Sequence, residues 1–230
     1  MLSYFKYQGK KMGLFDKLFH KQEVEEIVEE VKKYDGNFFN IARTGSLSEV
    51  REAINAGAGI NDKNDQWCTP LMFAAEENTD PEVIKELIKA GAILGMKTKG
   101  GATPLMGAAQ KNSNPEVLQA LIDAGADVNM VNDIGFTPLI YAATFNSNPE
   151  FIRRLVKAGA RVNYSNNIGY SAFIYAALNN KNIIILKTLL ELDANPNHRD
   201  MNNLRAIDHL RKEPDYQNSE VYKFLLSLES

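Results

Sequence analysis

Residues 69–92 read TPLMFAAEENTDPEVIKELIKAGA, and the phrase returns as TPLMGAAQKNSNPEVLQALIDAGA at 103–126 and as TPLIYAATFNSNPEFIRRLVKAGA at 137–160. The step between Thr69, Thr103 and Thr137 is 34, and continuing it reaches Ser171 in SAFIYAA and Arg205 in RAIDHL. A fixed period of this length marks stacked supersecondary units, each unable to bury its apolar side alone.

Each unit reads as two short helices. Thr69, Thr103 and Thr137 are set to cap a first helix, with proline at its first position, where the missing N–H costs nothing. A second helix carries Ile84, Leu87 and Ile88, repeated as Leu118, Leu121, Ile122, as Ile152, Leu155, Val156 and as Leu186, Leu189, Leu190. That i, i+3, i+4 spacing gives one apolar stripe. Between the helices, Asn78, Asn112 and Asn146 fall where the chain leaves the first helix, and are expected to turn left-handed as stop signals. Asp80, Asn114 and Asn148, each followed by Pro-Glu, are expected to cap the second helix. The unit at 170–203 keeps Asn180 and Asn182 but has Ile183 in place of proline, and the glycines at Gly57, Gly91, Gly125 and Gly159 are expected to end the second helices in the left-handed region.

These segments resemble ankyrin repeats, over roughly residues 37 to 228, with Met72, Met106 and Ile140 where the family places histidine. The asparagine and lysine richness of the NSNPE-type units is similar to bacterial members. The resemblance implies an all-α repeat solenoid of stacked helix-turn-helix units joined by β-hairpin-like loops, about six units over 35–230 including degenerate caps. At the front cap, Gly45 follows the first helix and Ser46 to Glu49 form a capping box; at the back, NLRAIDHLRKE and EVYKFLLSL supply the last helix pair.

Residues 1–34 stand outside the period. EVEEIVEEVKKY at 23–34 sets Val24, Ile27, Val28, Val31 and Tyr34 on one helical face, expected to cover the first repeat. Upstream, Leu14, Phe15, Leu18 and Phe19 alternate with Lys10, Lys11, Lys17 and Lys21, a pattern suited to an anionic membrane surface.

The totals narrow the function. A net charge of -3 disfavours a general grip on nucleic acid. One cysteine, Cys68, permits no internal disulfide, and no apolar run reaches a membrane span, so a cytoplasmic chain is expected. Neither a metal-ligand cluster nor a cofactor motif is present, and GAILGMKTKGG at 91–101 lacks the spacing of a phosphate loop. Cys68 and His209 lie four units apart in a solenoid whose units touch only neighbours, which leaves no catalytic constellation.

The resemblance places a concave face on the loop tips and first helices. Two rows run along it: Cys68, Ala102, Phe136, Tyr170, Leu204, and Phe73, Gly107, Tyr141, Tyr175, His209. Phe145 lies at a helix end facing the same groove, and Trp67 occupies a loop position that the family gives to glycine. Trp67, Phe73, Phe136, Tyr141, Phe145, Tyr170 and Tyr175 are therefore the candidate contacts, with Phe136, Phe145 and Tyr170 expected to be exposed. The expected function is a monomeric, noncatalytic module that binds another protein; the alternative is an adaptor docked on a membrane surface by residues 1–22.

Overall fold

The computed structural model describes residues 38–180, 182–213 and 216–229. The expected helix at 23–34 and the apolar and basic segment before it lie outside the described residues. Six helix pairs follow in chain order: α1 Phe38–Thr44 with α2 Leu47–Asn55, α3 Pro70–Glu77 with α4 Pro81–Lys89, α5 Pro104–Lys111 with α6 Pro115–Asp123, α7 Pro138–Phe145 with α8 Pro149–Lys157, α9 Ala172–Asn179 with α10 Ile183–Glu191, and α11 Ala206–Arg211 with α12 Glu220–Ser227. First helices pack on first helices and second on second, always between neighbouring units. The result is an all-α repeat solenoid. Among the described residues there is no strand; the hairpin-like loops are turns, with one isolated bridge between Ser165 and Ser171.

The helix starts are where the sequence puts them. Thr69, Thr103, Thr137 and Ser171 each accept from the backbone N–H three residues on, and Asp80, Asn114, Asn148 and Asn182 from the N–H two residues on. Where histidine is replaced by methionine, sulfur substitutes weakly: Thr69 N–H points at Met72 Sδ and Thr103 N–H at Met106 Sδ, both at 3.4 Å. The second helices α2, α4, α6, α8 and α10 end in Schellman turns. At the first of them Ala58 N–H reaches Ala53 O and Gly57 N–H reaches Ile54 O, with Gly57 at φ 86°; Asp193 takes that role at φ 64° in the degenerate unit.

The core is a continuous seam. Leu71, Leu105, Leu139 and Phe173 line one side of it, and Ile84, Leu118, Ile152 and Leu186 the other, all buried. The stripe on the second helix is rotated from the expected one. Val83, Val117, Phe151 and Ile185 are buried, whereas Ile88, Ile122, Val156 and Leu190 are only partly covered at its edge.

One expectation is overturned. Asn78, Asn112 and Asn146 are not left-handed; their φ values are -75°, -67° and -90°, in the extended region. Their side chains do something else. Each carboxamide donates to two carbonyls of the preceding unit: Asn112 Nδ2 to Ala75 O and Asn78 O at 2.9 Å, Asn146 Nδ2 to Ala109 O and Asn112 O at 3.2 Å. Asn78 reaches Ala42 O and Gly45 O, and Asn180 reaches Ala143 O and Asn146 O. Each Oδ1 meanwhile accepts from the N–H two residues on. Four asparagines thus form a ladder that ties unit to unit. A second set joins the loop bases, Asn61 to Gly91 and Ile93, Asn129 to Gly159 and Arg161, Asn163 to Asp193 and Asn195.

The C-terminal cap replaces the threonine cap with charge. Arg205 binds Asp208 through its side chain and its backbone N–H, and Glu229 bridges Arg205 and Arg211. The Arg205 guanidinium, against the opposing effect of burial, holds the Asp208 carboxyl down at about 2. A carboxylate titrating lower in the fold than its ordinary 3.8 contributes stability that is full above that value and is lost as pH falls toward 2. With Asp208 partly exposed, the contribution is on the order of 1 kcal/mol. Protection factors of the amides across 206–228, taken relative to the intrinsic exchange rate at each pH, should fall between pH 4 and 2, and Asp208→Asn should remove most of that pH dependence; an unchanged profile would show that the pair is already broken in solution.

Candidate functional site

The loops and first helices bring most of the candidate aromatics together. Each loop is closed by one backbone bond, as Asn132 N–H to Phe136 O and Asn166 N–H to Tyr170 O. The side chain of the residue opening the turn completes it: Asn132 Oδ1 accepts from Ile134 and Phe136, and Asn166 Oδ1 from Ile168 and Tyr170. Successive loops touch through Asp133 N–H to Gly100 O and Met201 N–H to Ile168 O.

Phe136, on its loop, meets the rings of Tyr141 on α7 at 5.3 Å and Tyr175 on α9 at 4.6 Å. Tyr141 lies 6.1 Å from Phe145, Tyr175 lies 5.3 Å from Tyr170, and Tyr170 lies 5.3 Å from His209. One aromatic patch therefore spans three units. Two of its tyrosines are fixed by asparagines: Asn132 Nδ2 donates to Tyr141 Oη and Asn166 Nδ2 to Tyr175 Oη, both at 2.9 Å. In the last unit the same register holds Asp200 and His209, 2.8 Å apart. Burial raises the Asp200 carboxyl, but bonds from Leu204 N–H, His209 and Asn202 N–H outweigh it and hold the group below its ordinary value. Burial raises the titration of Tyr141, Tyr175 and Tyr170, so all three hydroxyls stay protonated at neutral pH.

Exposure follows the expectation unevenly. Phe145 is 54% exposed, and Tyr170, Tyr141, Tyr175 and Phe73 are partly buried. Phe136 is corrected: only 8% of it is accessible, because the rings of Tyr141 and Tyr175 close over it. It is the floor of the patch and not a contact on its surface. Phe39 was missed although it stands one period before Phe73; the two rings meet at 5.7 Å and Arg43 lies 4.3 Å over Phe73. This smaller patch is cut off from the larger one at Gly107, where an added Cβ would stand 2.8 Å from Glu76 and the Glu76–Lys111 ion pair crosses the gap.

Trp67 joins neither patch. It is 51% exposed, with Lys63 Nζ 5.3 Å over its ring, and has φ 62°. Gly101, Gly135 and Gly169 hold that left-handed position in the next loops. A bulky residue there is strained. Trp67→Gly is therefore expected to raise stability by roughly 1 kcal/mol in urea denaturation. A loss of stability would mean that the indole packs more than it strains.

Burial, with Glu76 nearby, pushes the Cys68 thiol up, the opposite of an activated nucleophile. Among the described residues no group of three His, Cys, Asp or Glu is placed to hold a metal ion, and no helix is long and apolar enough to cross a membrane.

A search of the curated proteins returns no match. The family model for ankyrin repeats in three copies matches residues 38–132 and 105–200, which together cover more than half of the chain. The period, the stacked helix pairs and this match agree, and the chain belongs to the ankyrin repeat family.

Proposed function

We propose that this chain is a noncatalytic binding protein that holds a partner protein against the face built from its loops and first helices, chiefly through the aromatic patch on Tyr141, Phe145, Tyr170 and Tyr175. Ankyrin repeats are in general protein–protein interaction modules. The observation that carries the location is the fixing of Tyr141 and Tyr175 by Asn132 and Asn166. Rings already held in place lose little rotamer freedom on binding, so their contact area converts to affinity at small entropic cost. Each of these hydroxyls accepts a bond from an asparagine and keeps its own hydrogen to donate, which suits a partner presenting backbone carbonyls or carboxylates. Phe73 and Phe39 offer a smaller second contact beside Arg43, and Trp67 a third at the loop tips.

The test is capture from native lysate by the wild-type chain and by Phe145→Ala/Tyr170→Ala, with the thermal melt as a control. Both side chains are accessible, unlike Phe136, so the melt should shift by only a few degrees. Captured partner should fall at least about tenfold, as expected when two interface aromatics are removed. Undiminished capture by a folded double variant would place the contact elsewhere.

A further inference from the structure

At the end of the repeats the asparagine ladder stops before its acceptors do. Asn78, Asn112, Asn146 and Asn180 each donate to an alanine carbonyl near the end of the preceding first helix and to the carbonyl three residues on. The next pair in that register is Ala177 O and Asn180 O, and no hydrogen bond from the described residues reaches either one. One period beyond Asn180 the sequence has Pro214, which carries no carboxamide. The helix that would bring a donor there is also short: α11 has six residues where α9 has eight. Between the end of α9 and the start of α12 lies a cleft of about 450 Å³, lined among the described residues by Ala177, Leu178, Asn180, Tyr216, Ser219 and Val221.

From this geometry we infer that the cleft is a binding site for the asparagine carboxamide of a partner polypeptide. The chemistry is the one the molecule uses four times. A primary amide supplies two N–H donors to two carbonyls spaced for them, while its oxygen accepts from its own chain two residues on. A loop with an Asn-x-Asn or Asn-x-Asp turn presents that group already oriented. The four ladder asparagines of this chain are all engaged with their own acceptors, and the fifth donor is assigned to another chain. An aspartate in the same place brings negative charge to two carbonyl oxygens and has nothing to donate. The site lies at the helix ends opposite the loop tips, so it stands independently of the aromatic patch.

The test uses the full-length ¹⁵N-labelled protein and a peptide copying residues 145–152, FNSNPEFI. The peptide is acetylated at one end and N-methylamidated at the other, so that only side chains provide primary amides. The backbone amide signals of Asn180, Ser219 and Glu220 should shift saturably at millimolar peptide. The peptide with Asn→Asp at its second position should bind about tenfold more weakly or worse, a difference of about 1.4 kcal/mol. Equal shifts from the aspartate peptide, or no shift of these signals at millimolar concentration, would overturn the site. Acetamide provides the remaining arm: saturation of the same signals at the same concentration would overturn the polypeptide source and leave a site for small carboxamides.

Discussion

Asn112→Ala should destabilise the fold by about 3 kcal/mol, read from urea denaturation. Asn112 is 2% exposed; its bonds to the two carbonyls are buried, and the Asn114 N–H it serves is partly buried. Removing it leaves the carbonyls of Ala75 and Asn78 without a donor and the Asn114 N–H without an acceptor. Each unsatisfied buried group costs roughly 1–3 kcal/mol, and the three are not additive because the loop can relax. A loss below about 1 kcal/mol would mean that the ladder opens to water easily. Asn112→Asp separates charge from shape. An ionised carboxylate facing two carbonyl oxygens is disfavoured, so its titration rises in the fold, and the folded state is relatively more stable below that value than above it. Asn112→Asp should therefore be worse than alanine at pH 7 and recover as pH falls toward 5, whereas the alanine variant should show no such recovery. Equal behaviour of the two would remove the electrostatic part of the explanation.

The same asparagines show what a sequence gives up readily and what it withholds. The helix caps at Thr69, Asp80 and their equivalents were legible because a cap acts within three residues, on a donor whose position the helix itself dictates. The period exposed the solenoid for a similar reason: stacking repeats whatever one unit needs. The ladder was not legible, since Asn112 acts on carbonyls 34 and 37 residues earlier. Asparagine after a helix has a local reading, the left-handed stop, and that reading was the wrong one of two. Phe136 failed in a related way. Its burial depends on Tyr141 and Tyr175 folding over it from two different units. Phe39 was within reach of the sequence, because subtracting one period from Phe73 arrives at it; Asn132 and Asn166 were too, nine residues before the tyrosines they hold, with Asp200 and His209 at the same spacing.

Phe173→Ala should cost about 4 kcal/mol, and the loss should be uneven along the chain. The ring is 1% exposed and replaces the leucine that stands at Leu71, Leu105 and Leu139. It sits in α9, which packs on α7 behind it and on α11 ahead. In a solenoid, stability is close to a sum of unit terms and nearest-neighbour interfaces, so a cavity weakens the units beside it first. The cap beyond α9 has little of its own to fall back on. Its two helices bury only Ala206, Ile207 and Leu210 in α11, and Val221 and Leu225 in α12. Hydrogen exchange on Phe173→Ala should show the amides of 206–228 losing protection while those of 70–123 keep theirs, and chemical unfolding should spread into two steps. Leu71→Ala, at the same position three units earlier, should leave the cap protected and weaken the amino-terminal pairs. Uniform loss of protection in both variants would mean that the repeats unfold as one cooperative body, with interfaces much stronger than the units they join.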